Sequence, residues 1–123
     1  MSLSTRSVAV LVTLSATGWL WSAAAQAHAK LISAVPAANA TVASPKLIHL
    51  EFSEDIAKKL SSFRLTDTDG NAIGTMTMQS KDAKTLEAMP NMTLAPGLYT
   101  ITWTAVSTDD GHKMTGTYSF TVK

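Results

Sequence analysis

Leu98-Tyr99-Thr100-Ile101-Thr102-Trp103-Thr104-Ala105-Val106 is a long run of β-forming residues. Tyr99, Ile101 and Trp103 fall on alternate positions, so they share one face of an extended chain. A period of two marks a strand rather than a helix. Thr115 to Val122 continues in the same style. Between these two strands stands Ser107-Thr108-Asp109-Asp110-Gly111-His112, in which Asp-Gly supplies a turn. The pair therefore reads as a hairpin with His112 in its loop.

The same pattern extends toward the N-terminus. Leu47 to Ser53 alternates, with Ile48, Leu50 and Phe52 on one face and Leu47, His49 and Glu51 on the other. Shorter strands are expected at Ala29–Val35, Phe63–Thr66, Ile73–Met78 and Thr85–Met89. Asp67 to Asn71 and Ala95-Pro96-Gly97 carry strong turn chemistry. Only Glu54 to Ser61 has helical character, enough for one or two turns. About seven short strands separated by turns predict an all-β fold, an antiparallel sandwich or Greek-key barrel.

Residues 1–27 have the three parts of a secretory leader. Arg6 gives the positive start, Ser7 to Trp21 a mostly apolar centre, and Ala23 to Ala27 the small residues that a signal peptidase reads. Ser15, Thr17 and Gly18 interrupt the apolar run, which is shorter than the roughly 20 residues a membrane span needs. Cleavage after Ala27 is therefore expected, leaving a single domain over 28–123 that is exported and not embedded in a membrane. The leader takes Arg6 with it, so 10 basic residues become 9, against 9 acidic ones. That balance points to neither a nucleic-acid partner nor an anionic membrane. The chain has no cysteine. Its stability must come from a hydrophobic core, and thiolate metal sites are excluded.

Cleavage at that point makes His28 the first residue. Its α-amine and ring Nδ1 can then close a chelate ring on one metal ion. Asp110 and His112, two apart in a tight turn, add a carboxylate and an imidazole. Three nitrogens and one oxygen suit the tetragonal plane of Cu(II). Taken singly, each part has a plainer explanation. Asp-Gly is a common hairpin turn, and a loop histidine is usually solvated. His49, the third histidine, is expected to face solvent from its strand and not to bind metal. Metal binding displaces protons from its ligands, so copper affinity should weaken below about pH 6, where imidazole protonates.

With these residues in place, the chain resembles the CopC family of copper-binding proteins. The likeness rests on His28-Ala29-Lys30-Leu31, Ser33 to Ala37, Leu50-Glu51-Phe52-Ser53-Glu54, Ala95 to Tyr99, Trp103 to Ser107, Asp110-Gly111-His112 and Thr115 to Val122. It implies an Ig-like Greek-key β-barrel in the periplasm, with Cu(II) held by His28, Asp110 and His112. It also places Glu54 near the copper, as an outer-shell or weak axial group; its plainer role is a strand-end residue facing water. Asp109 is an extra residue ahead of the usual Asp-Gly-His and competes with Asp110, which the spacing favours. Some members carry a methionine-rich Cu(I) loop. The matching stretch here, Thr66 to Thr75, has neither methionine nor histidine, so a Cu(II)-only member is expected. Met76, Met78, Met89 and Met92 are read as core filling, with a thioether Cu(I) site as the alternative.

A complete donor plane leaves little open for substrate, which favours a monomeric copper carrier or buffer over an enzyme. Its partners would be the copper ion and a membrane copper importer or another copper-resistance protein. Two other classes compete: a metal-free Ig-like interaction module, and a small copper oxidative enzyme with an N-terminal histidine brace. The enzyme would need an open coordination position, which Asp110 would fill.

Overall fold

The computed structural model describes residues 29–123. The leader and His28 lie outside the described residues. Among the described residues, nine strands form two sheets: β1 (Leu31–Val35), β2 (Thr41–Val42), β3 (Ile48–Phe52), β4 (Ser62–Thr66), β5 (Ala72–Ile73), β6 (Thr75–Met78), β7 (Thr85–Pro90), β8 (Gly97–Val106) and β9 (Lys113–Val122). One sheet has the order β1-β3-β7-β6 and the other β2-β9-β8-β4-β5. All neighbours are antiparallel except β2 and β9, which run parallel. The arrangement is an all-β sandwich. The helical stretch shrinks to one 3-10 turn at Lys58–Leu60.

Alternation in the sequence becomes the core. Ile48, Leu50 and Phe52 from β3 and Ile101, Trp103 and Ala105 from β8 are buried between the sheets. Phe52 meets the Trp103 ring edge-on at 5.2 Å, and so joins the two layers. Tyr99 stacks on Phe120 at 5.9 Å, and its hydroxyl donates to the Ala95 carbonyl at 2.7 Å. That bond ties the turn before β8 back onto the strand, as a tyrosine corner does.

One short strand, β2, was not expected from the sequence, and one expected strand is split. Residues 73–78 were read as a single strand, yet Gly74 divides them: β5 belongs to one sheet and β6 to the other. The Gly74 carbonyl accepts from Asn91 N–H at 2.9 Å, and a Cβ at 74 would meet the Asn91 side chain at 2.8 Å. A side chain at 74 would therefore have to displace the exposed Asn91 amide. Thr41–Val42 pairs with the far end of β9, and two residues are too few to show a period.

Burial pushes the Tyr118 hydroxyl up to about 12 from its ordinary 10.0. The same hydroxyl donates to the Pro36 carbonyl at 2.9 Å. The folded state thus keeps a proton that the unfolded chain loses above pH 10. Stability from this group is complete below that pH and drains away as pH rises toward 12. Tyr118→Phe should flatten the alkaline loss while lowering stability near neutrality by about 1 kcal/mol for the lost hydrogen bond. Denaturant midpoints measured against pH for both proteins would check this.

Candidate metal centre

The β8–β9 ladder is paired at ten positions from Gly97↔Val122 to Val106↔Lys113, and residues 107–112 cap it. Ser107 holds the cap from inside. It is almost fully buried; its N–H donates to the His112 carbonyl at 3.0 Å and its carbonyl accepts from Gly111 at 3.0 Å. Gly111 has φ +69°, a left-handed conformation that glycine takes without a steric penalty. The Asp110 carboxylate accepts from the His112 backbone N–H at 2.9 Å. The carboxylate and the histidine are therefore parts of one closed turn. Asp109 is also exposed here, and its N–H is bonded to the Ser107 hydroxyl at 3.2 Å.

A second segment packs against this cap. Ile56 bridges to Ser107, Ala57 N–H donates to the Val106 carbonyl at 2.8 Å, and the Asp55 carbonyl accepts from Thr108 N–H at 3.1 Å. Glu54 precedes this clamp. Its Oε1 is buried and has no hydrogen-bond partner among the described residues. An orphaned buried carboxylate oxygen is costly and calls for a partner such as an ion. The start of the domain comes to the same end. Lys30 exchanges two bonds with Ser53, its N–H to the hydroxyl at 2.9 Å and its carbonyl from the Ser53 N–H at 2.8 Å. Ala29 is fully buried.

Asp110 and His112 share the β8–β9 loop, and Glu54 precedes the segment packed against it; among the described residues no three such side chains converge closely enough to hold a metal ion. His28 is outside the described residues. Asp110 and His112 stand on an exposed rim, and neither lines the two clefts of about 340 and 410 Å³ found elsewhere on the surface. Ser107 and the Asp55–Thr108 clamp were not recognised as positioning elements from sequence. The available signal was a small polar residue where the strand pattern would place an apolar one.

His49 differs from expectation. It faces outward, yet it is only half-exposed, and its Nδ1 lies 2.7 Å from Glu87 Oε1. The β3–β7 register sets the two directly opposite. The methionines also differ. Met76 and Met92 are 59 % exposed, and Met78 and Met89 are 38 % exposed. Met76 and Met78 do share a strand face, but it is the outer one. Thr75, Leu86 and Ala88 take up the inward positions beside them.

The CopC domain model matches residues 31–123. The chain belongs to the CopC family. It is 40 % identical over 119 residues to copper resistance protein C of Pseudomonas syringae pv. tomato, covering 91 % of this chain and 94 % of that protein. It is 39 % identical over 119 residues to protein YobA of Escherichia coli strain K12, covering 94 % and 91 %. Among solved structures, it is similar to PcoC, a methionine-rich copper resistance protein from Escherichia coli, with TM-score 0.72 and 38 % identity over 79 % of this chain and all of that one. It is also similar to CopC from Methylosinus trichosporium OB3b, with TM-score 0.70 and 33 % identity over 78 % of this chain and 94 % of that one. The CopC sandwich, a Greek-key β fold, is thus the fold of this chain.

Proposed function

We propose that this CopC-family chain is exported to the periplasm, loses residues 1–27, and binds Cu(II) in order to sequester or carry it for copper homeostasis and resistance. Copper is its cargo. His28 offers the α-amine and ring nitrogen, His112 an imidazole and Asp110 a carboxylate, a donor set matched to tetragonal Cu(II). Glu54 acts on the ligands from the outer shell. The observation that carries this reading is the buried, unpartnered Glu54 oxygen beside the segment that clamps the Asp110–His112 loop. The bonds between Lys30 and Ser53 add support, because Lys30 lies two residues after His28.

Four donors fill the equatorial plane and leave little open where a substrate could be activated. The protein is therefore read as a carrier and not an enzyme. A membrane importer or another copper-resistance protein would be its exchange partner, and the carrier itself is a monomer.

Intact mass of the exported protein, followed by Cu(II) titration under paramagnetic resonance, tests this directly. The expected result is a chain beginning at His28 that binds one cupric ion in a nitrogen-rich tetragonal field. A different first residue, or a bound ion without nitrogen coupling, rejects it.

Glu54→Gln should weaken Cu(II) by roughly 10–100-fold, the usual cost of losing an outer-shell partner. His49→Ala, at the Glu87 pair on the outer sheet face, should leave copper affinity unchanged. Competition titration with a chelator measures both, and equal losses in the two variants would remove Glu54 from the site.

A further inference from the structure

The sandwich is open along one side. There β6 is the outer strand of its sheet, hydrogen-bonded among the described residues only to β7. Across the gap, β5 covers β4 only at Leu65 and Thr66, so the edge of residues 62–64 has no neighbouring strand among the described residues. Between these edges lies a cleft of about 340 Å³ lined by Phe63, Leu86 and Ala88. Two strand edges with unused backbone groups thus border one cleft of mixed lining, whose apolar residues are Phe63, Met78, Leu86 and Ala88.

An open edge is usually blunted by a charge, a proline or a bulge. β6 reads Thr-Met-Thr-Met and carries none of these. Its Met76 and Met78 are exposed, and methionine adapts to varied partner surfaces. The charges gather instead at the Met78 end. Lys58 and Lys59 line the cleft, and Lys58 Nζ reaches the Ser80 carbonyl at 2.6 Å. Lys81 and Lys84 follow in the same loop. None of these four lysines lies within 4.0 Å of a carboxylate among the described residues; the ion pair found there is His49–Glu87. Asp82, the acid of this loop, caps its own turn by accepting from Lys84 N–H at 2.9 Å. Glu87 also borders the cleft, but its Oε1 is held by His49.

We propose that this side binds an extended segment of a partner polypeptide, added as a strand to β6. Its apolar side chains would cover the cleft, and an acidic stretch at one end would lie against Lys58, Lys59, Lys81 and Lys84. Main-chain pairing supplies affinity in this mode, and alternate side chains supply selectivity. The four residues of β6 offer about 13 Å of edge, so the contact is short and exchange is fast. The surface does not depend on the copper reading.

The test uses the full processed protein, labelled with ¹⁵N, and two peptides. One is Asp-Asp-Asp-Val-Thr-Val-Thr-Val; the other has the aspartates at its C-terminus. The expected result is saturable amide shifts at residues 62–64 and 75–78 with at least one peptide. Replacing the aspartates by lysines, or making Lys58→Glu with Lys59→Glu, should weaken binding by about tenfold or more. Thr77→Trp, which fills the cleft, should do the same. Absence of shifts at both edges at about millimolar peptide overturns the proposal, as does equal binding of the lysine peptide. A dimer of this chain that Thr77→Trp disperses would also overturn it, because the edge would then serve self-association.

Discussion

His112→Ala in the processed protein is expected to lower Cu(II) affinity by well over 100-fold, more than the roughly 10–100-fold that follows loss of an outer-shell group. The imidazole is one of three proposed nitrogen donors, and no other histidine can replace it. His49 sits on the outer sheet face, engaged with Glu87. Inserting one glycine ahead of His28 should cost a similar amount, since it moves the α-amine away from the ring and breaks the chelate. Neither change should touch the core. His112 is exposed, and its loop is held by backbone bonds from Ser107. Metal-free denaturation curves should therefore coincide with the parent while the copper titrations separate. Retained affinity in the glycine-extended form would take His28 out of the site.

Gly116→Ala is expected to destabilise the fold strongly. Gly116 lies directly opposite Trp103 in the β8–β9 ladder. A Cβ at 116 would stand 2.4 Å from Trp103 Cζ2 and 2.5 Å from Cε2. Those atoms belong to a buried indole packed edge-on against Phe52, so the ring cannot move without opening the layer contact. Overpacking of this kind costs about 1–3 kcal/mol, sometimes more, and the value here should lie at the top of that range. Trp103→Phe takes away the clashing atoms. The double variant should accordingly lose less than the sum of the singles by about 1 kcal/mol or more. Urea unfolding followed by circular dichroism in all four proteins measures the coupling. Additive losses would mean that the indole does not lie over the glycine.

Much of this molecule could be read from alternation. The strands β3, β8 and β9 and the faces of Ile48, Leu50, Phe52, Ile101 and Trp103 follow from a period of two. What alternation leaves open is direction and partnership. It puts Met76 and Met78 on one face without saying whether that face looks in or out. It cannot pair His49 with Glu87, which lies 38 residues away, because only sheet register brings them together. Gly74 falls inside an expected strand, and nothing local in the sequence marks it as the point where the chain crosses between sheets. At the β8–β9 loop, the composition alone displays Asp110 and His112. The packing of residues 53–57 against that loop is a long-range contact, with no local signature beyond Glu54 itself.

The ten-rung β8–β9 ladder beneath residues 107–112 has one more consequence. A cap mounted on so long a paired stem has little room to tilt or unzip when an ion arrives or departs. For the copper carrier proposed above, uptake and release should then be movements of a few side chains on a stationary frame, with the rate of hand-over set by ligand exchange at the rim while the barrel remains a bystander.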